Sequence, residues 1–155
     1  VELPVDNRSL EAMQEDLLPY RELALDAVMA AHVIYDCMDC NTAVFSKKWI
    51  DYLRNGIRFD GVVFTDDLSM AGAGVVGGML NRVDTAYRAG CDMLLVCNSP
   101  EAVGEVLANW QPEIDGARGK RVEALLPRQS AKDWATLLTD PLYVAARNTI
   151  AQLTA

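Results

Sequence analysis

Three runs of mostly apolar residues divide the chain, and polar residues close each run. They cover residues 25–35, 62–65 and 92–98. Unbroken apolar runs are typical of buried parallel strands, whereas half-exposed strands alternate apolar and polar positions. We therefore predict three strands, the first of them continuing into a loop over residues 36–45.

Segments with helical periodicity separate these runs. The order α-β-α-β-α-β-α favours an α/β fold with a parallel sheet and right-handed crossovers. The predicted helices cover residues 9–23, 46–54, 79–89 and 99–110.

Capping residues support these boundaries. Ser9 and Ser46 are suitable N-caps, and Gly90 is a suitable C-terminal glycine. Pro19 is expected to kink the first helix, since proline cannot donate a backbone hydrogen bond.

The remaining stretch, residues 111–155, lacks a strand pattern. We predict three helical segments broken near Gly116, Pro127 and Pro141. The predicted organisation is a region over residues 1–110 followed by a helical extension over residues 111–155.

Composition places the chain among globular proteins. Its 155 residues are 51% hydrophobic, enough for one substantial core. Lys and Arg number 14 against 22 Asp and Glu, a net charge of -8 that makes nucleic acid an unfavourable partner. No apolar run approaches the roughly 20 residues of a membrane span. The first residue is Val1 and not Met, which suggests that the chain was cut from a longer one or processed.

Four cysteines are too few and too scattered to predict a disulfide framework. Cys37 and Cys40 have the spacing of a redox or metal motif, but a zinc site needs further ligands. Cys91 and Cys97 lie beside or within an apolar run, where a thiol acts as a small hydrophobe. We expect reduced thiols, and neither a metal ion nor a cofactor.

Two adjacent carboxylates, Asp66 and Asp67, follow directly after the run 62–65. In α/β folds the chemistry is found at the carboxyl ends of the strands, where a carboxylate can act as nucleophile or general base. The alternative is that an Asp here caps the following helix. The favoured division assigns chemistry to Asp66 and a structural task to Asp67.

His32 is the only histidine and follows the first apolar run. There it could bind substrate or act as an acid or base, or it could be a packed, hydrogen-bonded histidine. The glycines within residues 72–78 match no phosphate-binding pattern, so a flexible loop near the site is the better interpretation.

Three segments in register closely resemble the bacterial β-N-acetylglucosaminidases of glycoside hydrolase family 3. They are Leu25–Tyr35, Phe59–Met70 and Ala89–Asn98. The resemblance implies a (β/α)8 barrel and cytoplasmic recycling of cell-wall muropeptides. It implies that Asp66 is the nucleophile of a retaining mechanism, and that Met29 and His32 line the substrate pocket.

The family's acid/base histidine, on a mobile loop with the pattern Lys-His-Phe-Pro-Gly-His-Gly, is absent from the sequence. By the same matching, the first five strands with their sugar-binding residues are absent, which leaves about strands 6–8 of a barrel that normally takes about 250 residues. We therefore expect the C-terminal part of a TIM-type barrel with a helical tail, inactive by itself. The alternative is a non-catalytic barrel half that associates with itself or with a separate N-terminal half.

The sequence departs from the family pattern at several positions. The family usually has proline at Ala30 and near Cys40 and Thr42, and glycine at Arg58. The loop after the first strand is therefore expected to differ in shape.

Overall fold

The computed structural model describes residues 3–113 and 115–153. These residues form two compact units, one ending at Leu125 and the other beginning at Leu126. The predicted boundary after residue 110 stays a prediction. Helix α5 (Gly116–Glu123) lies within the first unit.

Two parallel strands form the centre of the first unit. Strand β2 (Ala27–Ala30) pairs with β4 (Val62–Thr65), with Ala27 opposite Val62 and Ala30 opposite Thr65. Gly61 precedes β4, and a Cβ at this position would lie 2.5 Å from the carbonyl oxygen of Asp26. Only glycine permits this close approach of the two strands. Strand β4 is mostly buried and is followed directly by Asp66, so the prediction of a buried strand at this place is confirmed.

The third predicted strand, residues 92–98, forms only one bridge, between Phe64 and Met93, and Asn98 at its end has φ 57°. Two side chains replace the main-chain partners that a continuous ladder would need. The carboxylate of Asp92 accepts the N–H of Val63 at 2.8 Å, and the hydroxyl of Thr65 accepts the N–H of Leu95 at 2.9 Å. The prediction of a full strand is therefore wrong, although the segment does run parallel beside β4.

The first apolar run contributes to two sheets. After β2 the chain bends, and β3 (Ile34–Tyr35) pairs in parallel with β1 (Val5–Asp6). The single strand predicted over this run is therefore two short strands, and β1 has no counterpart among the sequence predictions. Only Val5 is apolar in the stretch 5–9, which is too little to predict a strand, and the pairing depends on a partner about thirty positions away.

The predicted helix 9–23 is wrong over most of its length. The Ser9 hydroxyl does accept the N–H of Ala12 at 3.2 Å, as an N-cap would, but irregular turns follow. Regular helix is confined to α1 (Leu18–Glu22), which has Pro19 in its first turn. Proline is tolerated there because those N–H groups have no partner within the helix.

The second predicted helix is present in two parts. Helix α2 (Lys47–Asp51) begins after Ser46, whose hydroxyl accepts the N–H of Trp49 at 3.1 Å. It continues as a π-helix over Tyr52–Gly56.

The next two helices match their predictions. Helix α3 (Met79–Ala89) ends at Gly90 with φ 116°, and α4 (Pro100–Asn109) follows the segment 92–98. The glycine-rich stretch before α3 is a 3-10 helix over Ala71–Val76, where a flexible loop was predicted.

The core of the first unit lies between the sheet and helices α2 and α3. Fully buried Leu68 follows the carboxylate pair and anchors the turn after β4, since burying one such side chain contributes about 1.5–3 kcal/mol. Its neighbours in the core include Val44, Val63, Ala73, Val83 and Ala86.

The tail contains three helices in its described part. Helix α5 is followed by α6 (Trp134–Leu138) and α7 (Pro141–Leu153) in the second unit. The breaks predicted near Gly116 and Pro141 coincide with helix starts. Across residues 3–113 and 115–153, no helix has the length and apolar character needed to cross a membrane.

Candidate active site

Asp66 occupies the first position after β4. Its N–H donates to the carbonyl of Ala30 at 2.9 Å, so the ladder between β2 and β4 extends one step beyond the paired residues. This bond fixes the backbone of Asp66 at the carboxyl end of the sheet, which is the edge where α/β enzymes carry their chemistry.

One carboxylate oxygen of Asp66 is held and the other is available. Oδ1 accepts the N–H of Asp67 at 2.8 Å. Oδ2 receives no hydrogen bond from any described residue, and the side chain is half-buried. A carboxylate oriented in this way can attack an electrophilic carbon without first losing a protein partner.

Asp67 is held by three donors. Its Oδ1 accepts the N–H of Ser69 at 2.8 Å and the N–H of Cys97 at 3.0 Å, while Oδ2 accepts the Ser69 hydroxyl at 2.6 Å. Burial alone would raise the pKa of Asp67, but the bonds from Ser69 and Cys97 outweigh burial and lower it. The charged form is therefore favoured, and Asp67 ties the turn after β4 to the segment 92–98.

Helix capping was the alternative for this pair, but the side chain of Asp67 bonds Ser69 within a turn instead. The Asp67–Ser69 contact closes a turn in which an Asp side chain bonds the backbone two residues on. Regular structure resumes only at the 3-10 helix over Ala71–Val76. The structural task predicted for Asp67 is therefore local turn formation.

His32 is buried and contacts the backbone of the carboxylate pair. Only 5% of its surface is exposed, and its Nε2 lies 3.0 Å from the carbonyl oxygen of Asp67. The ring packs against Phe45 with 5.9 Å between ring centroids. The structure thus brings His32 and the carboxylate pair together, through the backbone of Asp67.

Met29 is the most exposed of the predicted site residues. It lies opposite Phe64 near the carboxyl end of β2, with 57% of its surface exposed. It also borders a cavity of about 250 Å³ whose wall includes four consecutive residues of β2 and its loop, 28–31. Neither Asp66 nor His32 lines this cavity. The cavity therefore lies along the unpaired edge of β2 and is not formed by the carboxylate pair.

The cysteine pair forms no site within the described residues. Cys37 and Cys40 are exposed free thiols, and no group of three potential metal ligands occurs there. Buried Cys91 behaves differently, since burial raises the pKa of its thiol to about 12 and keeps it protonated.

Sequence reasoning missed two supports of the site. The spacing of Asp67 and Ser69 was a local signal for the turn. The contact between Asp67 and the Cys97 amide had no local sequence signal, because it joins residues 30 positions apart.

Parallel strands joined by helices, with a carboxylate at a strand's carboxyl end, define an enzyme-like domain of the α/β class. The model of the glycosyl hydrolase family 3 N-terminal domain matches residues 1–123. The chain therefore belongs to glycosyl hydrolase family 3.

Named relatives agree with this assignment. The chain is 46% identical to the β-hexosaminidase of Aromatoleum aromaticum over 99% of its own length, and 44% identical to that of Bordetella parapertussis over 98%. It spans 44% of each relative, which is less than half.

Solved structures are similar over the same region. Native NagZ from Neisseria gonorrhoeae superposes with a TM-score of 0.86 at 33% identity, covering 99% of this chain and 46% of that one. The β-N-acetylglucosaminidase from Thermotoga maritima gives a TM-score of 0.65 at 32% identity, covering 79% and 30%. The chain thus has the fold of part of these TIM-barrel-like enzymes.

Proposed function

We propose that this chain supplies the nucleophile, Asp66, of a retaining β-N-acetylglucosaminidase. The observation that carries the proposal is the position of Asp66 at the carboxyl end of β4, with one oxygen held by Asp67 and the other free. The names of the relatives, β-hexosaminidase and β-N-acetylglucosaminidase, support the substrate class.

In the proposed reaction, Oδ2 of Asp66 attacks the anomeric carbon of a terminal β-linked N-acetylglucosamine. The bond to the leaving oxygen breaks as that oxygen takes a proton from a general acid, and a covalent glycosyl-enzyme ester forms. Water then gives a proton back to the same group, attacks the same carbon and releases the Asp66 carboxylate, so that two inversions retain the configuration. The N–H of Asp67 keeps the other oxygen oriented throughout.

The described residues offer no acid for the leaving group. His32 is the only histidine, and its ring is buried against the Asp67 carbonyl. We propose that the chain corresponds to about strands 6–8 of the barrel, and that the acid and most sugar contacts come from strands outside it. Met29, exposed beside the strand ends, is the proposed contact from this part.

The physiological role is a proposal drawn from the family resemblance. We propose that the complete enzyme acts on muropeptides during peptidoglycan recycling in the cytoplasm. Alone, the chain should turn over substrate poorly, since general acid catalysis contributes roughly 10² to 10⁴ in rate.

A reagent that needs no acid tests Asp66 directly. An activated 5-fluoro glycosyl fluoride of N-acetylglucosamine carries fluoride as its leaving group, which departs without protonation. We expect slow covalent labelling of Asp66, detected by mass spectrometry of the peptide spanning residues 59–70. Asp66→Asn should abolish the label, whereas Asp60→Asn, an exposed carboxylate in the same peptide, should retain it. Label on another residue, or equal labelling of the Asp66→Asn variant, would refute the proposal.

A second candidate function is a non-catalytic barrel half that works by association. The cavity beside residues 28–31 favours it, because this groove exposes the unpaired edge of β2. A strand from another chain would satisfy that edge.

A further inference from the structure

We propose that His32 is a positioning residue, which holds the turn that carries the nucleophile through the carbonyl of Asp67, as the tautomer protonated at Nε2. Its effect on Asp66 rests on the proposed function, whereas the tautomer and the hydrogen bond do not.

The tautomer follows from the partner of the ring. A carbonyl oxygen can only accept, so the 3.0 Å contact between His32 Nε2 and the Asp67 oxygen requires a proton on Nε2. The other ring nitrogen, Nδ1, is buried and has no hydrogen-bond partner within the described residues. A proton shuttle needs partners at both nitrogens, and the part of the chain that the structure describes places a partner only at Nε2.

The ring is enclosed by its neighbours as well as bonded. Phe45 packs on one side, and a Cβ added at Gly72 would meet the His32 Cβ at 3.3 Å. With 5% of its surface exposed, the side chain offers almost no area to a sugar. The contact of His32 with the site is therefore its hydrogen bond to the backbone carbonyl of Asp67.

The path from His32 to the nucleophile is two hydrogen bonds long. His32 fixes the C=O of Asp67, and the N–H of the same residue fixes Oδ1 of Asp66. The side chain of Asp67 is tied separately to Ser69 and Cys97. Asp67 is therefore constrained on its carbonyl, its amide and its carboxylate. Its carbonyl also accepts the N–H of Met70 at 3.1 Å, so loss of the His32 bond would leave that carbonyl with one donor in place of two.

NMR of the chain labelled with ¹⁵N-histidine tests the tautomer, since a single histidine gives one unambiguous set of ring signals. At pH 7 we expect a pyrrole-type Nε2 bearing the proton and a pyridine-type Nδ1. A proton on Nδ1, or signals averaged between tautomers as in a solvated ring, would overturn the proposal.

Two substitutions of His32 test the positioning role, one whose amide can still reach the Asp67 carbonyl and one whose amide cannot. The amide nitrogen of glutamine falls near imidazole Nε2, so His32→Gln can still donate to the Asp67 carbonyl. The amide nitrogen of asparagine falls near Nδ1 and cannot reach it. Labelling of Asp66 by the fluoro glycosyl fluoride should stay within about threefold of the native rate in His32→Gln and fall about tenfold in His32→Asn, the expected loss for one hydrogen bond.

A residue that merely fills space would give a different result. If the two variants lose labelling equally, the positioning role is refuted. The amide nitrogen of Leu68 is bonded to the carbonyl carbon of Asp67. Its ¹⁵N chemical shift therefore reports the hydrogen bond between His32 and the Asp67 carbonyl without depending on labelling. It should be near native in His32→Gln and displaced in His32→Asn. If native protein takes no label, the proposed function fails, and the Leu68 shift still decides the role of His32.

Discussion

Arg58 has a backbone conformation that suits glycine. Its φ is 65°, in the left-handed region, and its side chain is exposed just before the buried Phe59. A side chain with a Cβ is strained there by about 1–2 kcal/mol. The family resemblance places a glycine at this position, which suits the conformation observed.

We predict that Arg58→Gly stabilises the chain. Relief of strain exceeds the added flexibility of the unfolded glycine, so the free energy of unfolding should rise by about 0.5–1 kcal/mol. Urea denaturation measures the change. Asn55→Gly, an exposed position with no left-handed φ, is the control and should not stabilise the protein; a loss in Arg58→Gly would contradict the prediction.

Asp67 links stability to pH. Its pKa is lowered in the folded state by the bonds from Ser69 and Cys97, which outweigh burial. A carboxylate with a depressed folded pKa stabilises the protein above its unfolded pKa of about 3.9, and this stabilisation is lost as the pH falls through the folded value. The sensitive range therefore begins near pH 4 and extends below it.

We predict that the difference in unfolding free energy between native protein and Asp67→Asn shrinks as the pH falls from 6 towards 3. Denaturant titrations at several pH values measure it. Asp60→Asn should track the native protein at every pH. A difference that stays constant would show that the charge of Asp67 does not contribute.

At the scale of elements, Asp92 joins four parts of the fold at the amino end of β4. Its side chain is fully buried and accepts bonds from Arg54 at 2.6 Å and Arg121 at 2.7 Å, with Arg118 at 3.6 Å. It also accepts the N–H of Val63. Burial is the main cause that lowers the pKa of Arg54, so this guanidinium depends on a nearby anion. Helix α5 is thereby tied to β4, the strand that ends directly before Asp66.

We predict that Asp92→Asn lowers the free energy of unfolding by about 3–5 kcal/mol, because it leaves largely buried guanidinium groups without a counter-charge. Equilibrium urea denaturation gives the value. Asp51→Asn removes an exposed pair with Lys47 at i,i+4 spacing and should cost at most about 0.5 kcal/mol. Similar losses in the two variants would refute the role assigned to Asp92.

At the scale of the whole molecule, one edge of the sheet is open. Within the described residues, β2 pairs only with β4. Apolar side chains near this part of the chain are exposed, namely Val5, Leu18, Tyr20, Leu23 and Met29. Unpaired strand edges and exposed apolar surface both favour association.

We predict that the purified chain self-associates as its concentration rises. Sedimentation velocity should show heavier species, and Met29→Lys should shift the protein towards monomer, since a charge on an edge strand opposes pairing. Val75→Lys, at an exposed apolar residue in the 3-10 helix, is the matched control. A native chain that sediments as a monomer with a cooperative melt would exclude association through this edge.

Local pattern alone predicted much of the architecture. The apolar run before Asp66 predicted β4 and placed a carboxylate at its end, and Ser46 and Gly90 marked helix boundaries correctly. These features depend on residues within a few positions of one another, so composition and spacing carry the information.

Only the tertiary structure decided the remainder. The helix over residues 9–23 is shortened to α1, the strand 92–98 is interrupted by side chains of Asp92 and Thr65, and Asp67 is held by the Cys97 amide and by His32. Each of these outcomes except the first depends on a partner about thirty positions away. The sequence by itself determined where Asp66, the proposed nucleophile, stands, whereas the fold determined what holds it, because hydrogen-bond partners across a sheet are chosen by packing and leave no local signature.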